Sequence, residues 1–126
     1  MLRVFTKLAA SQVHGIGLFA AQFIPKGTVT WIYDSEFDQA YSEAEFLQMP
    51  DTARKEFLPY LYFDNELQKF VLPNDALRFI NHSKDNPNIS ASPRQDIAAR
   101  DIFENEELLC DYDCYDVAVL NRLGIS

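Results

Sequence analysis

Proline and glycine recur at intervals too short for any long regular element in this chain of 126 residues. Ile24-Pro25-Lys26-Gly27, Pro50, Pro59, Pro73-Asn74-Asp75, Pro87-Asn88 and Pro93 each interrupt the backbone. Proline lacks the N–H that a helix or ladder needs and fixes one torsion, while glycine and asparagine tolerate the positive φ of tight turns. The pieces between these breaks are rich in β-branched and aromatic residues. They predict strands over residues 4–8, 17–23, 28–33 and 68–72, and a tight hairpin in which 88–92 and 96–100 flank Pro93-Arg94-Gln95. Two stretches differ. Ser42-Glu43-Ala44-Glu45 starts a helix, with Ser42 as cap and Glu45 as its capping-box partner, and Phe46, Leu47 and Met49 carry it to Pro50. A second helical piece over 51–58 stops at Pro59. Beyond Asp116 a short closing helix is expected, with Gly124 as its stop. The expectation is a mostly β chain, one domain over 1–126, with a helical insert over about 42–63.

Composition removes several function classes. Apolar residues at 48% and charged residues at 24% are ordinary for a globular domain. No run approaches the roughly 18 apolar residues of a membrane span. The first residues, Met1-Leu2-Arg3-Val4-Phe5-Thr6-Lys7, lack the apolar core and cleavage site of a signal peptide. An intracellular protein without a membrane partner is expected, cytoplasmic, or nuclear in a eukaryote. A net charge of −8 repels a phosphate backbone, so direct nucleic-acid binding is not expected, whereas a basic partner is attracted. Solubility alone accounts for the charge equally well. Cys110 and Cys114 are the only cysteines and cannot build a four-cysteine zinc site, and His14 and His82 have no third ligand at zinc-like spacing. No metal is expected. No glycine-rich loop carries a phosphate-binding lysine, and the adjacent His82, Ser83 and Asp85 do not form a hydrolase triad around a nucleophile elbow.

The chemistry concentrates in two segments. In Arg78-Phe79-Ile80-Asn81-His82-Ser83 an apolar pair runs into three polar side chains, and Pro87-Asn88 follows; in Glu106-Glu107-Leu108-Leu109-Cys110-Asp111-Tyr112 a short apolar run closes in a carboxylate beside a phenol. These segments resemble the paired signature of SET-domain protein methyltransferases. The resemblance extends upstream through Val13-His14-Gly15-Ile16-Gly17-Leu18-Phe19-Ala20-Ala21 and Ile24-Pro25-Lys26-Gly27, and through Ala99-Arg100-Asp101-Ile102. Four blocks thus stand in the family's order from Val13 to Tyr112, and the overall likeness is to short SET proteins without cysteine-rich flanks.

That resemblance implies a β-clip fold of small twisted sheets, a C-terminal segment threaded through a loop of its neighbour, and transfer of a methyl group from S-adenosylmethionine to a lysine ε-amine of a basic protein or peptide. It implies that His14, Gly15, Ile16, Gly17, Asn81, His82 and Tyr112 bind the cofactor and that Tyr112 is catalytic, its oxygen orienting the methyl and the amine. One of Tyr60 and Tyr62 is implied at the cofactor or lysine channel, and Tyr115, the terminal helix or the second subunit of a homodimer as the lid. Cys110 stands where relatives carry phenylalanine or tyrosine. In the channel it leaves room for two or three methyl groups; as a packed thiol it is simply a small apolar core residue. The rival functions are a non-catalytic binding module on the same fold and a methyltransferase for small-molecule amines.

Overall fold

The computed structural model describes residues 1–111. Among the described residues ten strands form three small sheets. β1 (Thr6–Ala10) and β2 (Ile16–Ala20) make an antiparallel hairpin with Leu8 opposite Leu18. β3 (Val29–Ile32), β7 (Asn81–His82), β8 (Ile89–Ala91), β9 (Gln95–Ala98) and β10 (Leu109–Cys110) make a five-stranded sheet in the order β3-β9-β8-β10-β7. β4 (Gln39–Tyr41), β5 (Tyr62–Asp64) and β6 (Lys69–Leu72) make a three-stranded antiparallel sheet with β6 in the middle.

The placement of β10 sets up the site. It runs parallel to both β7 and β8, which follow each other in sequence, so the connection over 83–88 has to step across the end of β10. The threaded segment expected from the family is therefore present. Before entering this slot the same segment pairs with the first hairpin: Phe19 bridges Glu107, the Ala20 N–H donates to the Glu106 carbonyl (2.8 Å), and Leu108 N–H donates to the Leu18 carbonyl (2.7 Å). One stretch, 106–110, thus ties two sheets together.

The hydrophobic core lies where these sheets meet. Leu18, Ala20, Ile24, Val71, Ile102 and Cys110 are fully inaccessible, and Trp31, Ala98 and Leu108 nearly so. Each large aliphatic side chain buried in this way contributes about 1.5–3 kcal/mol. Trp31 meets the Tyr62 ring edge-on at 6.1 Å. A second aromatic contact set, Phe46 on Phe70 and Phe63 on Phe70, fastens the helical insert to the three-stranded sheet.

The insert follows its local signals. In α1 (Glu43–Leu47) the Ser42 hydroxyl accepts from Glu45 N–H (3.1 Å) and the Glu45 carboxylate accepts from Ser42 N–H (2.9 Å), the capping box read from the sequence. α2 spans Asp51–Phe57. Pro59 does not end the helical path there: a 3-10 turn, Leu58–Tyr60, takes it near its start, where a missing N–H leaves no bond unmade.

The first strand is displaced from the expected 4–8 to Thr6–Ala10. The residues before it belong to another sheet, since Leu2 bridges Trp31 and Arg3 N–H donates to the Thr30 carbonyl (2.7 Å). The chain changes partners at Val4-Phe5. β2 likewise ends at Ala20 rather than residue 23, because the next segment turns to residue 102, Ile24 bridging Ile102.

Candidate functional site

β7 and β10 bring the two polar segments side by side, with Asn81 opposite Leu109 and His82 opposite Cys110. A 3-10 turn, Ala76–Phe79, delivers β7. The Asp75 carboxylate accepts from Leu77 N–H (3.2 Å) at its start and from Leu2 N–H (2.8 Å), and Arg78 Nε donates to the Pro73 carbonyl (3.0 Å). On the other side of β10, just before β8, Asn88 is 1% exposed and extends the pairing with its side chain. Its Nδ2 donates to the Glu107 carbonyl and its Oδ1 accepts from Leu109 N–H, both at 2.8 Å, while its own N–H donates to the Leu109 carbonyl (3.0 Å). A buried amide with donor and acceptor both used is what this position needs.

Above this pair sits the turn between β1 and β2. Ser11 organises it: its hydroxyl accepts from the N–H groups of Val13 (2.9 Å) and His14 (3.2 Å), and its N–H donates to the Gly15 carbonyl (2.8 Å). The two glycines serve different needs. Gly15 adopts φ +47° with open space where a Cβ would stand, so its constraint is torsional and its backbone faces an approachable surface. Gly17 needs room, because a Cβ there would lie 2.3 Å from Glu107 Oε2.

Asn81 connects the turn to the strands. Its Nδ2 donates to the His14 carbonyl (2.9 Å), the Ile16 carbonyl (3.3 Å) and Glu107 Oε2 (3.1 Å). Three acceptors converge on one atom, which dictates that this atom is the amide nitrogen. The donor end of Asn81 is therefore spent inside the protein, and its main chain pairs with β10. The Glu107 carboxylate also accepts from the Ser11 hydroxyl, 2.8 Å to each oxygen.

The remaining sequence candidates are placed as follows. His82 Nδ1 lies 3.7 Å from Asp111 Oδ1, close enough to attract when the imidazole is protonated, and Ser83 N–H donates to the Cys110 carbonyl (3.0 Å). His14 takes part through its backbone, its side chain being exposed. Tyr60 packs edge-on against Phe79 at 5.4 Å, two residues before Asn81. Tyr62 is instead part of the core: its ring meets Trp31 and its hydroxyl donates to the Pro93 carbonyl (2.7 Å), and burial pushes its phenol far above the ordinary range. Cys110 is fully buried in the core cluster with Leu18, Ile80, Ile89 and Leu108, as a packed small apolar group would be. Tyr112, Cys114, Tyr115 and the closing helix lie outside the described residues. Among the described residues no group of three or more His, Cys, Asp or Glu could hold a metal ion, and no helix is long and apolar enough to cross a membrane.

Sequence reading alone did not single out Ser11, Asn88 or Glu107 as supports of this arrangement. Glu107 and Asn88 stood inside the quoted motifs without a role, and a serine four residues before a glycine in a turn is the one local signal that Ser11 offered.

Comparison with known proteins agrees with this geometry. A family model described as SET domain matches residues 15–113. No curated protein matches the sequence. Among solved structures, the apo Polycomb Repressive Complex 2 of Chaetomium thermophilum with two mutations in Ezh2 aligns with a TM-score of 0.72 at 25% identity, over 94% of this chain and 16% of that one. The same complex in an autoinhibited conformation bound to S-adenosylmethionine aligns with a TM-score of 0.68 at 24% identity, over 94% and 16%. A Plasmodium falciparum candidate histone methyltransferase aligns with a TM-score of 0.61 at 20% identity, over 88% of this chain and 95% of that one. The chain thus spans about a sixth of the length of the Polycomb chains it matches. With a family match over most of its length and the threaded β7-β10-β8 arrangement in place, this chain belongs to the SET-domain family.

Proposed function

We propose that this protein is an S-adenosylmethionine-dependent methyltransferase whose acceptor is a lysine ε-amine in a basic protein or peptide. The observation that carries the reading is the convergence on Asn81, whose amide holds the carbonyls of His14 and Ile16 beside the β7-β10 pair that runs toward Tyr112. The family to which the chain belongs uses this cofactor, and one structural neighbour is described as bound to it.

The residues present fit such a ligand. The open space at Gly15 lets a ligand approach the turn backbone, whose carbonyls suit an ammonium group, while the polar atoms of Asn81 and His82 lie at the neighbouring strand end. His14, Gly15, Ile16 and Gly17 would hold the cofactor by main chain, with Asn81 and His82 opposite. When bound, the cofactor supplies a methyl group activated by its sulfonium. Little acid–base work is then asked of the protein. Aligning two reactants in near-attack geometry is worth on the order of 7–11 kcal/mol.

The acceptor lysine has to arrive neutral, against an ordinary pKa near 10.4. An apolar aromatic wall disfavours the ammonium form by desolvation. Of the two tyrosines considered for the channel we assign Tyr60, because it packs on Phe79 beside the signature segment whereas the Tyr62 hydroxyl is committed to Pro93. Tyr112 is assigned as the catalytic residue, orienting the amine and the methyl by its phenol oxygen.

Calorimetric titration with S-adenosylmethionine tests the cofactor half of this reading. Saturable binding is expected for the wild type, weakened at least about tenfold in Asn81→Ala, since the amide that holds the His14 and Ile16 carbonyls disappears, with two N–H donors worth roughly 1 kcal/mol each. A wild type that shows no heat of binding contradicts the reading. The acidic surface adds a second expectation: the Michaelis constant for a lysine peptide rich in arginine should rise between low and moderate salt, as screening shortens to about 8 Å at physiological ionic strength. Equal turnover of basic and acidic peptides would show the charge to be irrelevant to substrate choice.

A further inference from the structure

The Glu107 carboxylate stands at the centre of a network that the cofactor reading does not use. It accepts from Ser11 Oγ at 2.8 Å and from Asn81 Nδ2 at 3.1 Å, and it occupies the space that the missing side chain of Gly17 leaves. We infer that Glu107 and Ser11 are positioning residues that set the affinity for the cofactor by locking the turn over 11–17 and the Asn81 amide in one arrangement. This inference rests on the proposed function.

The Asn81 amide has two N–H groups for three acceptors, and a carboxylate is the strongest of these, so Glu107 fixes the direction in which the amide faces. With the amide so held, its remaining donor capacity falls on the carbonyls of His14 and Ile16, which sit on either side of Gly15. The Ser11 hydroxyl has one proton. Donating it to Glu107 leaves the hydroxyl's lone pairs to accept from Val13 and His14 N–H, which closes the turn. One carboxylate therefore orients both walls of the turn, from Asn81 on one side and through Ser11 on the other.

An amide at position 107 does this less well. Its oxygen, in the place of Oε2, would accept from both Ser11 and Asn81 but without the carboxylate's charge, and its NH2, in the place of Oε1, would press a further donor against the Ser11 hydroxyl, whose lone pairs already accept from Val13 and His14. Gly17→Ala disrupts the same point from the other side, by pushing the carboxylate off its partners.

The test compares wild type, Glu107→Gln, Ser11→Ala, Ser11→Thr and Gly17→Ala for S-adenosylmethionine affinity by calorimetry and for melting temperature. Nuclear magnetic resonance of the Asn81 side-chain amide, without cofactor, reports the brace directly. Expected are an affinity loss of about tenfold or more in Glu107→Gln and Ser11→Ala, recovery of most of it in Ser11→Thr, and a shifted Asn81 amide resonance in Glu107→Gln. Combining Gly17→Ala with Glu107→Gln should lose little more than either alone, because both break one network. At saturating cofactor the Michaelis constant for the lysine peptide should change little. Unchanged affinity in Glu107→Gln overturns the inference, as does an affinity loss that merely tracks melting temperature across all variants. Should either core variant fail to fold, the Ser11→Ala and Ser11→Thr pair decides alone, equal affinities overturning the inference. A wild type that binds no S-adenosylmethionine is a separate outcome, which overturns the functional reading and the inference with it.

Discussion

Asp96→Asn should stabilise the protein above about pH 7 and confer no advantage below about pH 4. Asp96 lies on β9 opposite Trp31 of β3 and is 1% exposed, and neither of its carboxylate oxygens has a hydrogen-bond partner among the described residues. Burial pushes its pKa up to about 7; the nearby Ser92 N–H, which is committed to the Gln95 carbonyl, offsets this only in part. The unfolded chain loses its Asp96 proton near pH 3.9. Below that value both states are protonated and the residue is neutral in effect. Between about pH 4 and 7 the unfolded state ionises while the folded state keeps its proton, so wild-type stability falls as pH rises, by up to about 4 kcal/mol in all. Above pH 7 the penalty is complete and constant. Asparagine removes it but leaves a buried amide with unmade bonds, at a cost of about 1–3 kcal/mol. The net gain expected at pH 8 is therefore about 2 kcal/mol, or roughly 8 °C in melting temperature. Thermal melts of both proteins from pH 4 to 8 check this, and parallel pH profiles would show that Asp96 titrates normally in the folded state.

Tyr112→Phe carries the largest expected effect on activity. Asp111, the last described residue, lies beside His82 at the end of the β7-β10 pair, and the phenol that follows it is the proposed orienting group. Removing one oxygen aimed at the reacting atoms costs about 10²–10³ in rate where its role is to stabilise and align. The ring remains, so circular dichroism should be unchanged and cofactor affinity should stay within a few fold. A turnover rate equal to wild type would reduce the hydroxyl to a structural role.

Features governed by neighbours in sequence could be read in advance. The Ser42–Glu45 capping box and the hairpin around Pro93-Arg94 are formed by groups within a few residues of each other; the capping box appears as read, and the hairpin forms with shorter strands, Ile89–Ala91 and Gln95–Ala98, that take Gln95 out of the expected turn. The mostly β architecture was legible in the short strand-forming stretches, whereas the threaded segment followed from the family resemblance. Contacts across the chain were not legible. Gly17 looks like any turn glycine until Glu107 is folded against it, and nothing local tells Tyr60 from Tyr62, whose separation depends on Phe79 and on Trp31 with Pro93. Asp96 reads as an ordinary strand carboxylate, and its burial at 1% exposure depends on what the folded chain packs over that face of β9. The shift of the first strand has the same origin, since Leu2 and Arg3 are held by Trp31 and Thr30 of another sheet.

The same contrast applies to Asp64. Alone in sequence it is a turn residue, whereas in the structure it is fully buried and receives Arg94 Nε at 2.7 Å. Burial draws its pKa upward, but the N–H groups of Leu67 and Glu66 and the Arg94 guanidinium outweigh that and hold the carboxyl below its usual range. Asp64 and Asp96 thus carry opposite shifts because only one of them was given donors.

The proposed reaction of this SET-domain chain is transfer of a methyl group from S-adenosylmethionine onto lysine. Its most direct measurement is transfer of labelled methyl from the cofactor to a panel of arginine-rich peptides, each with one lysine, alongside the same peptides with that lysine replaced by arginine. Label retained only by lysine-containing peptides, and lost with Tyr112→Phe, is the predicted result. Saturable cofactor binding with no label on any lysine would contradict the claim and leave a binding module on the same fold.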